Sequence, residues 1–473
     1  MDKVTQEVVP ILILCVVIAV VVRRLPKVDV GHTRAFRARR VLNWLPLGLT
    51  YAFLYMGRYN LTSLKDPGIN MITGKEFGDI DAIGSLVYGF AFFLNGPLTD
   101  RFGGRLAILV SAAGSAVCNL GMGLAVMGTP VGGHPPFGAL ALLFALNMYF
   151  QSFGAVAIVK VNASWFHLRE RGTFGGIFGI LISLGLYLAF DWAPKIASLT
   201  SVEWLFLAPA AILALFFGLS FLWVRDTPGD AGLVDFDVQD ASSGESGKPD
   251  GAVVILKRML GHKVIMVIAL ISLCSGFIRQ GILKWYKTFA AGVGAVHSYV
   301  YEHWGMMSCA AGMVGGMLAG VVSDHFFQSR RPPVATFLYA ILLVGAIGIT
   351  GTLLHPAIIP WIIMGMAMGV IGVHGMLSGV ASQDFGGRRN AGTATGLIDG
   401  FVYFGTALQG FVYGHILPES KVLVDGKMVP NPAAHDISNW YGWPIAMIPM
   451  AVIGLLLAFS VYNARVQPKP AAH

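Results

Sequence analysis

Apolar runs of helix-spanning length alternate with short polar stretches along almost the whole chain. They recur at about 41–63, 82–99, 106–127, 138–163, 174–190, 204–224, 263–289, 303–323, 333–354, 357–381, 392–416 and 441–462, twelve in all. A bilayer core roughly 30 Å thick takes about 20 residues of α-helix. The runs are too long for barrel strands and lack a two-residue alternation, so helices are the spanning structure they predict. A thirteenth, shorter run covers Val8 to Val22. Its basic residues follow the apolar stretch and no small-residue cleavage site is evident, unlike a secretory leader. It reads as an extra N-terminal helix whose start lies outside. At 15 residues it is short for a span, and an interfacial helix is the alternative.

Composition sharpens this picture. Of 473 residues, 55% are hydrophobic and 12% charged, about half the charged share of a soluble domain. So few charges cannot cover a water-facing surface, which excludes a soluble enzyme, a disordered chain and a nucleic-acid-binding domain. The 59 glycines suit helices packed backbone to backbone in lipid. The four cysteines, Cys15, Cys118, Cys274 and Cys309, lie in apolar stretches without C-x-x-C spacing and read as packing residues.

Charge orients the spans. With the 23–40 segment and every second loop thereafter placed inside, the inner set holds 22 Lys and Arg against 5 outside (Lys65, Lys75, Lys195, Lys421 and Lys427). That is a decisive positive-inside bias, and it accounts for the net charge of +8 without nucleic acid.

The longest inner loop, Arg225 to about His262, is polar and falls between spans six and seven. It divides the chain into residues 1–40 (extra helix and basic linker), 41–224 (N-terminal six-helix bundle), 225–262 (cytoplasmic linker), 263–462 (C-terminal bundle) and 463–473 (cytoplasmic tail). Three local echoes support a duplication. Gly96-Pro-Leu-Thr-Asp100-Arg101 returns as Gly320-Val-Val-Ser-Asp324-His325, 224 positions on. Gly172-Thr173-x-x-Gly176 returns as Gly392-Thr393-x-x-Gly396 after 220, and Arg58 is matched by Arg279 after 221. Two parallel halves around a central site imply alternating access.

A guanidinium inside a span is expensive, at least roughly 2.5–3.5 kcal/mol on insertion scales. Arg58 and Arg279 occupy equivalent places in the two halves, and neither span offers an acid at helical spacing. They are expected to face each other across a central cavity, where their forks suit an oxyanion, phosphate best. Tyr51, Tyr55 and Arg58 share one helix face, and Tyr88 and Tyr403 can complete a ring of hydroxyls. Lys284 and Lys287 follow Arg279 outward and read as a cationic funnel or as interfacial anchors. Asp399 is an intramembrane acid, either a coupling site or a counter-ion, and His374 is a weaker cavity candidate. Lys160 is expected to snorkel to the inner surface. No phosphate-binding glycine loop, metal-ligand cluster or nucleophile–base arrangement stands out, so no cofactor, metal or enzymatic activity is expected.

The stretch Gly96-x-x-x-Asp100-Arg101-Phe102-Gly103-Gly104-Arg105 resembles the loop motif between spans two and three of the major facilitator superfamily, with Gly96, Asp100, Arg101, Arg105 and Asp324 as its gate residues. Within that superfamily the chain resembles the organophosphate–phosphate antiporters. Tyr55-Met-Gly-Arg58-Tyr-Asn60, Val87-Tyr88-Gly89-Phe90, Arg169-Glu170-Arg171-Gly172, Arg279-Gln-Gly281-Ile282-Leu283-Lys-Trp285 and Ala391-Gly-Thr-Ala394 carry the likeness. The resemblance implies an all-α fold of two pseudo-symmetric bundles. It implies exchange of a phosphorylated metabolite for inorganic phosphate, with Arg58 and Arg279 on the phosphate and Tyr51, Tyr55, Tyr88 and Tyr403 along the path. Best-known members carry a lysine where this chain has Phe92, a histidine at Ile182 and an aspartate at Lys284, so the charge network differs around a kept clamp. A monomer in the inner membrane is expected. Two other readings stay open: an organic-anion:cation symporter, which Asp399 favours and Arg279 opposes, and a sugar-phosphate sensor resembling a transporter.

Overall fold

The computed structural model describes residues 31–66, 68–129, 135–167, 170–238, 252–327, 331–377, 382–419, 421–424 and 427–463, plus isolated positions between 12 and 23. Apart from those isolated positions the Val8–Val22 run lies outside the described residues, as do 239–251 of the 225–262 linker and 464–473 of the tail. So do the side chains of Thr173 and Asp324.

Among the described residues, ten helices are long and apolar enough to cross a bilayer. They are Gly74–Phe102, Gly104–Met127, Phe137–Trp165, Gly179–Leu199, Trp204–Trp223, Lys263–Gly292, Trp304–Ser323, Pro332–Thr352, Ile359–Leu377 and Ile437–Ser460. Two further long helices, Arg34–Tyr59 and Ser382–Ile416, stand in the places of spans one and eleven. These two carry Arg58 and Asp399. The resulting twelve spans form two six-helix halves.

Local chemistry sets the helix ends. Thr73 and Glu76 close a capping box at the outer start of span two, with reciprocal bonds of 2.8 and 3.1 Å, which satisfies two otherwise orphaned amides. Gly103, at φ +93°, turns the chain between spans two and three, with the Asp226 carboxylate against it. Span five widens to a π-helix over Leu188–Trp192 and continues to Leu199, beyond the expected end at 190. Span eleven begins at Ser382 rather than at 392, because Ser-Gln-Asp-Phe-Gly-Gly-Arg-Arg-Asn is helical without being apolar.

Spans two and eleven meet along their whole length through glycine. A methyl at Gly78 would fall 2.6 Å from the Gly410 carbonyl oxygen, and one at Gly96 would fall 2.7 Å from that of Gly392. Between these ends, Gly89 lies against Gly400 and Phe404. Small-residue seams of this kind let two helix backbones approach closely in lipid. At the inner face the short helix Ala252–Leu260 lays Ile255 and Met259 against Ala394 and Leu397 of span eleven. Beyond the outer end of span eleven, Lys421–Val424 and Lys427–Pro430 form an antiparallel hairpin with Val422 opposite Val429.

Candidate functional site

Arg58 sits where the first spanning helix ends at Tyr59 and tightens into the 3-10 turn Asn60–Lys65. It is only 4% exposed, and each nitrogen of its guanidinium has a neutral partner. Nε donates to Gln151 Oε1 at 2.7 Å, Nη2 to the Tyr88 hydroxyl at 2.9 Å, and Nη1 to the hydroxyl of Tyr403 from the opposite half. The group also lies over the Tyr55 and Tyr88 rings, 4.7 Å from each centroid. Tyr51 packs edge-on against Tyr55 at 5.2 Å, and Tyr88 stacks on Tyr403 at 3.9 Å.

Arg279, also 4% exposed, has no such set. Its Nε and Nη2 are buried without a hydrogen-bond partner. Its electrostatic neighbours are Tyr59, Tyr55, Tyr403 and Asp399, so Tyr55 and Tyr403 are common to both arginines. Among the described residues neither arginine makes a salt bridge. His374, half-buried in span ten, is within electrostatic reach of both arginines, and buried Asp399 is within reach of Arg279 and Tyr88. Phe92, where the resemblance implies a lysine, is buried edge-on against Tyr88 at 4.6 Å. The centre is thus two guanidiniums, hydroxyls, amides and one carboxylate.

The lysines of span seven, read as a cationic funnel or as interfacial anchors, both reach acids of the N-terminal half. Lys284 Nζ lies 2.5 Å from Asp81 of span two, and Lys287 lies 3.6 Å from Asp66. Lys65 crosses to the carbonyl of Lys284 at 2.8 Å and to the Thr288 hydroxyl. Tyr59 and Gln280 bond between the same two spans. Each of these two span-seven lysines is thus paired with an acid of the N-terminal half, whereas buried Lys65 is held by a carbonyl and a hydroxyl. The crevice bounded by Lys65, Asn70, Thr73, Trp285 and Thr288 shares Lys65 and Thr288 with this strip, and both arginines are buried. Asp191, on the π-helical turn of span five, adds a further tie. Its carboxylate accepts the Gly305 and Met306 amides at 2.7 and 2.8 Å at the start of span eight.

The inner face is closed by the loop motif. Asp100 accepts from the Gly392 and Thr393 amides at 3.1 and 2.8 Å and from the Thr393 hydroxyl at 2.8 Å. Lys160, expected to snorkel, instead pairs with Asp100 at 2.9 Å. Arg105 donates its amide to Asp226 and its side chain to the Phe221 carbonyl, both at 2.8 Å. Arg101 is exposed over the Phe102 ring. Gly96 provides the close approach to Gly392 described above.

Sequence reasoning missed Gln151, Asn147, Asp81 and Asp191. The i, i+4 pair of amides, Asn147 and Gln151, inside an apolar span was the available signal for the first two. The two aspartates fall just outside the apolar runs, Asp81 one residue before that at 82–99 and Asp191 one after that at 174–190.

Two bundles tied at both faces around paired arginines are an arrangement that can be compared with known proteins. The sequence profile described as Major Facilitator Superfamily matches residues 47–410. The chain belongs to that superfamily. It is a multi-pass membrane transporter, not an enzyme. Among similar proteins is a glycerol-3-phosphate transporter of Bacillus subtilis, 27% identical over 91% of this chain and 94% of that protein. The membrane sensor protein UhpC of Salmonella typhimurium is 24% identical over 93% and 95%. A probable hexose phosphate transport protein of Chlamydia trachomatis is 23% identical over 89% and 90%. These relatives match the antiporter family that the motifs resemble. Of solved structures, a bacterial homolog of the human lysosomal transporter Spinster shares the fold, with a TM-score of 0.62 over 93% of this chain at 15% identity.

Proposed function

We propose that this transporter exchanges a small phosphorylated metabolite for inorganic phosphate by alternating access. The observation that carries the reading is Arg279, whose buried Nε and Nη2 have no partner. Across the shared tyrosines stands Arg58, whose own bonds go only to neutral groups. Unmatched buried donors are expensive, and a dianionic phosphate reaching both forks would satisfy them bidentately. A phosphate monoester carries about −1.5 to −2 at neutral pH, close to the charge of the pair. Bound phosphate ties one half to the other, so the loaded carrier reorients and the empty one does not, as obligate exchange requires.

Proteoliposomes loaded with phosphate should take up labelled phosphate, glycerol phosphate, hexose phosphate or phosphoglycerate by counterflow without a proton gradient. Arg58→Lys or Arg279→Lys, each keeping charge but losing the fork, should cut exchange below about a tenth while leaving membrane insertion intact. Wild-type exchange by the double-lysine protein would sink the assignment. Ligand binding without exchange would indicate a sensor, and uptake that needs a proton gradient would indicate a symporter acting through Asp399.

A further inference from the structure

Behind Arg58 lies a run of buried amides that the proposed exchange does not by itself require. A guanidinium offers only donors, so Gln151 turns its oxygen toward Arg58 Nε, at 2.7 Å. Its NH2 then needs an acceptor and finds Asn147 Oδ1 at 3.1 Å. The Asn147 NH2 in turn donates to the Gly57 carbonyl at 3.0 Å, the residue before Arg58. Asn119 of span three donates to the same carbonyl at 3.2 Å and to Asn147 Oδ1 at 3.3 Å. Asn60 holds Asn119 from the far side at 2.9 Å. All four amide side chains are buried.

The bonds close a loop from the Arg58 side chain through span four to the Arg58 backbone. Glycine at 57 leaves room for this approach, because a methyl there would fall 2.9 Å from the Asn119 amide nitrogen and push it off the carbonyl. Its carbonyl is open to two side chains because the helix gives way to a 3-10 turn two residues later. Every amide in the loop has its donor and acceptor directions fixed by its neighbours, so the loop cannot reverse.

We infer that Gln151 is the positioning residue of the anion site, and that it divides Arg58 into a fixed edge and a working edge. This rests on the phosphate reading above. Nε is anchored by Gln151. The Nη1 and Nη2 edge is held only by the hydroxyls of Tyr403 and Tyr88, which can rotate and exchange the guanidinium for phosphate oxygens. The tyrosines occupy that edge until an oxyanion displaces them, and Gln151 keeps the fork aimed while they move.

The test uses the full chain in nanodiscs with labelled inorganic phosphate as the probe, alongside counterflow in proteoliposomes. Gln151→Leu keeps the bulk and removes the acceptor. It should raise the phosphate Kd and the KM for exchange about tenfold or more, with the saturated rate within about threefold. Gln151→Glu keeps the shape and places a carboxylate against Nε. It should bind phosphate poorly at pH 7.5 and recover toward pH 5.5, relative to the unsubstituted protein at each pH, as protonation restores a neutral acceptor. Should Gln151→Leu fail to fold, the pH profile of Gln151→Glu decides alone. A wild-type KM for Gln151→Leu, a loss confined to the saturated rate, or a Gln151→Glu defect that does not change with pH would overturn the inference. Failure of the unsubstituted protein to bind or exchange phosphate would instead overturn the phosphate reading.

Discussion

Arg58 and Arg279 are chemically alike and differently held. Arg58 is surrounded by acceptors, while Arg279 keeps two buried donors without partners. On the proposed phosphate reading, an anion would gain more at Arg279, where it would replace nothing, than at Arg58, where it would displace hydroxyls. Tyr403→Phe removes one of those hydroxyls and with it a donor that a bound phosphate would recover. A single hydrogen bond to a charged group contributes about 1.5–3 kcal/mol, so phosphate binding should weaken roughly tenfold or more. A Kd unchanged in labelled-phosphate binding would remove Tyr403 from the site. The arginines were legible in the sequence because a guanidinium within a span is rare and these two recur at one offset. Gln151 was not, because one amide in an apolar run has no signature until its partners are in place.

Between elements, span seven presents Gln280, Lys284 and Thr288 on one helical face toward spans one and two, with Lys287 beside them. The Lys284–Asp81 pair, with Asp81 1% exposed, is the more enclosed of the two ion pairs along that strip. Removing one member of a buried pair leaves an uncompensated charge and costs about 3–5 kcal/mol, whereas apolar replacement of both is often neutral. Lys284→Met and Asp81→Leu should each lower the melting temperature in detergent, and the double variant should recover most of the loss. If the double variant melts as low as the sum of the singles, the pair is not the reason these residues are buried. Most span boundaries followed from hydropathy, since lipid imposes it directly. The polar start of span eleven and the π-helical turn of span five did not, because neither carries a continuous apolar run; at the latter, Asp191 accepts two backbone amides of span eight.

Across the whole molecule, the two faces are closed by the same chemistry. A carboxylate of the N-terminal half accepts backbone amides of the C-terminal half, through Asp191 outside and Asp100 inside. Asp191→Asn keeps the shape and removes the charge, so it should favour opening outward. A cysteine placed at Thr288, which lines the outer crevice, should then react faster with an impermeant maleimide, whereas Asp100→Asn should leave it as slow or slower. Equal rates in the two variants would show that neither tie biases the exchange. Neither tie was visible before the fold, because each joins residues more than a hundred positions apart. The glycine seam between spans two and eleven gives this motion its character. Helices that mesh through side chains must be lifted out of one another's grooves before they can pivot, which raises the barrier between orientations. Smooth backbone against smooth backbone works instead as a bearing without teeth, so the rate of reversal is left to the ties at either end and to the cargo between them.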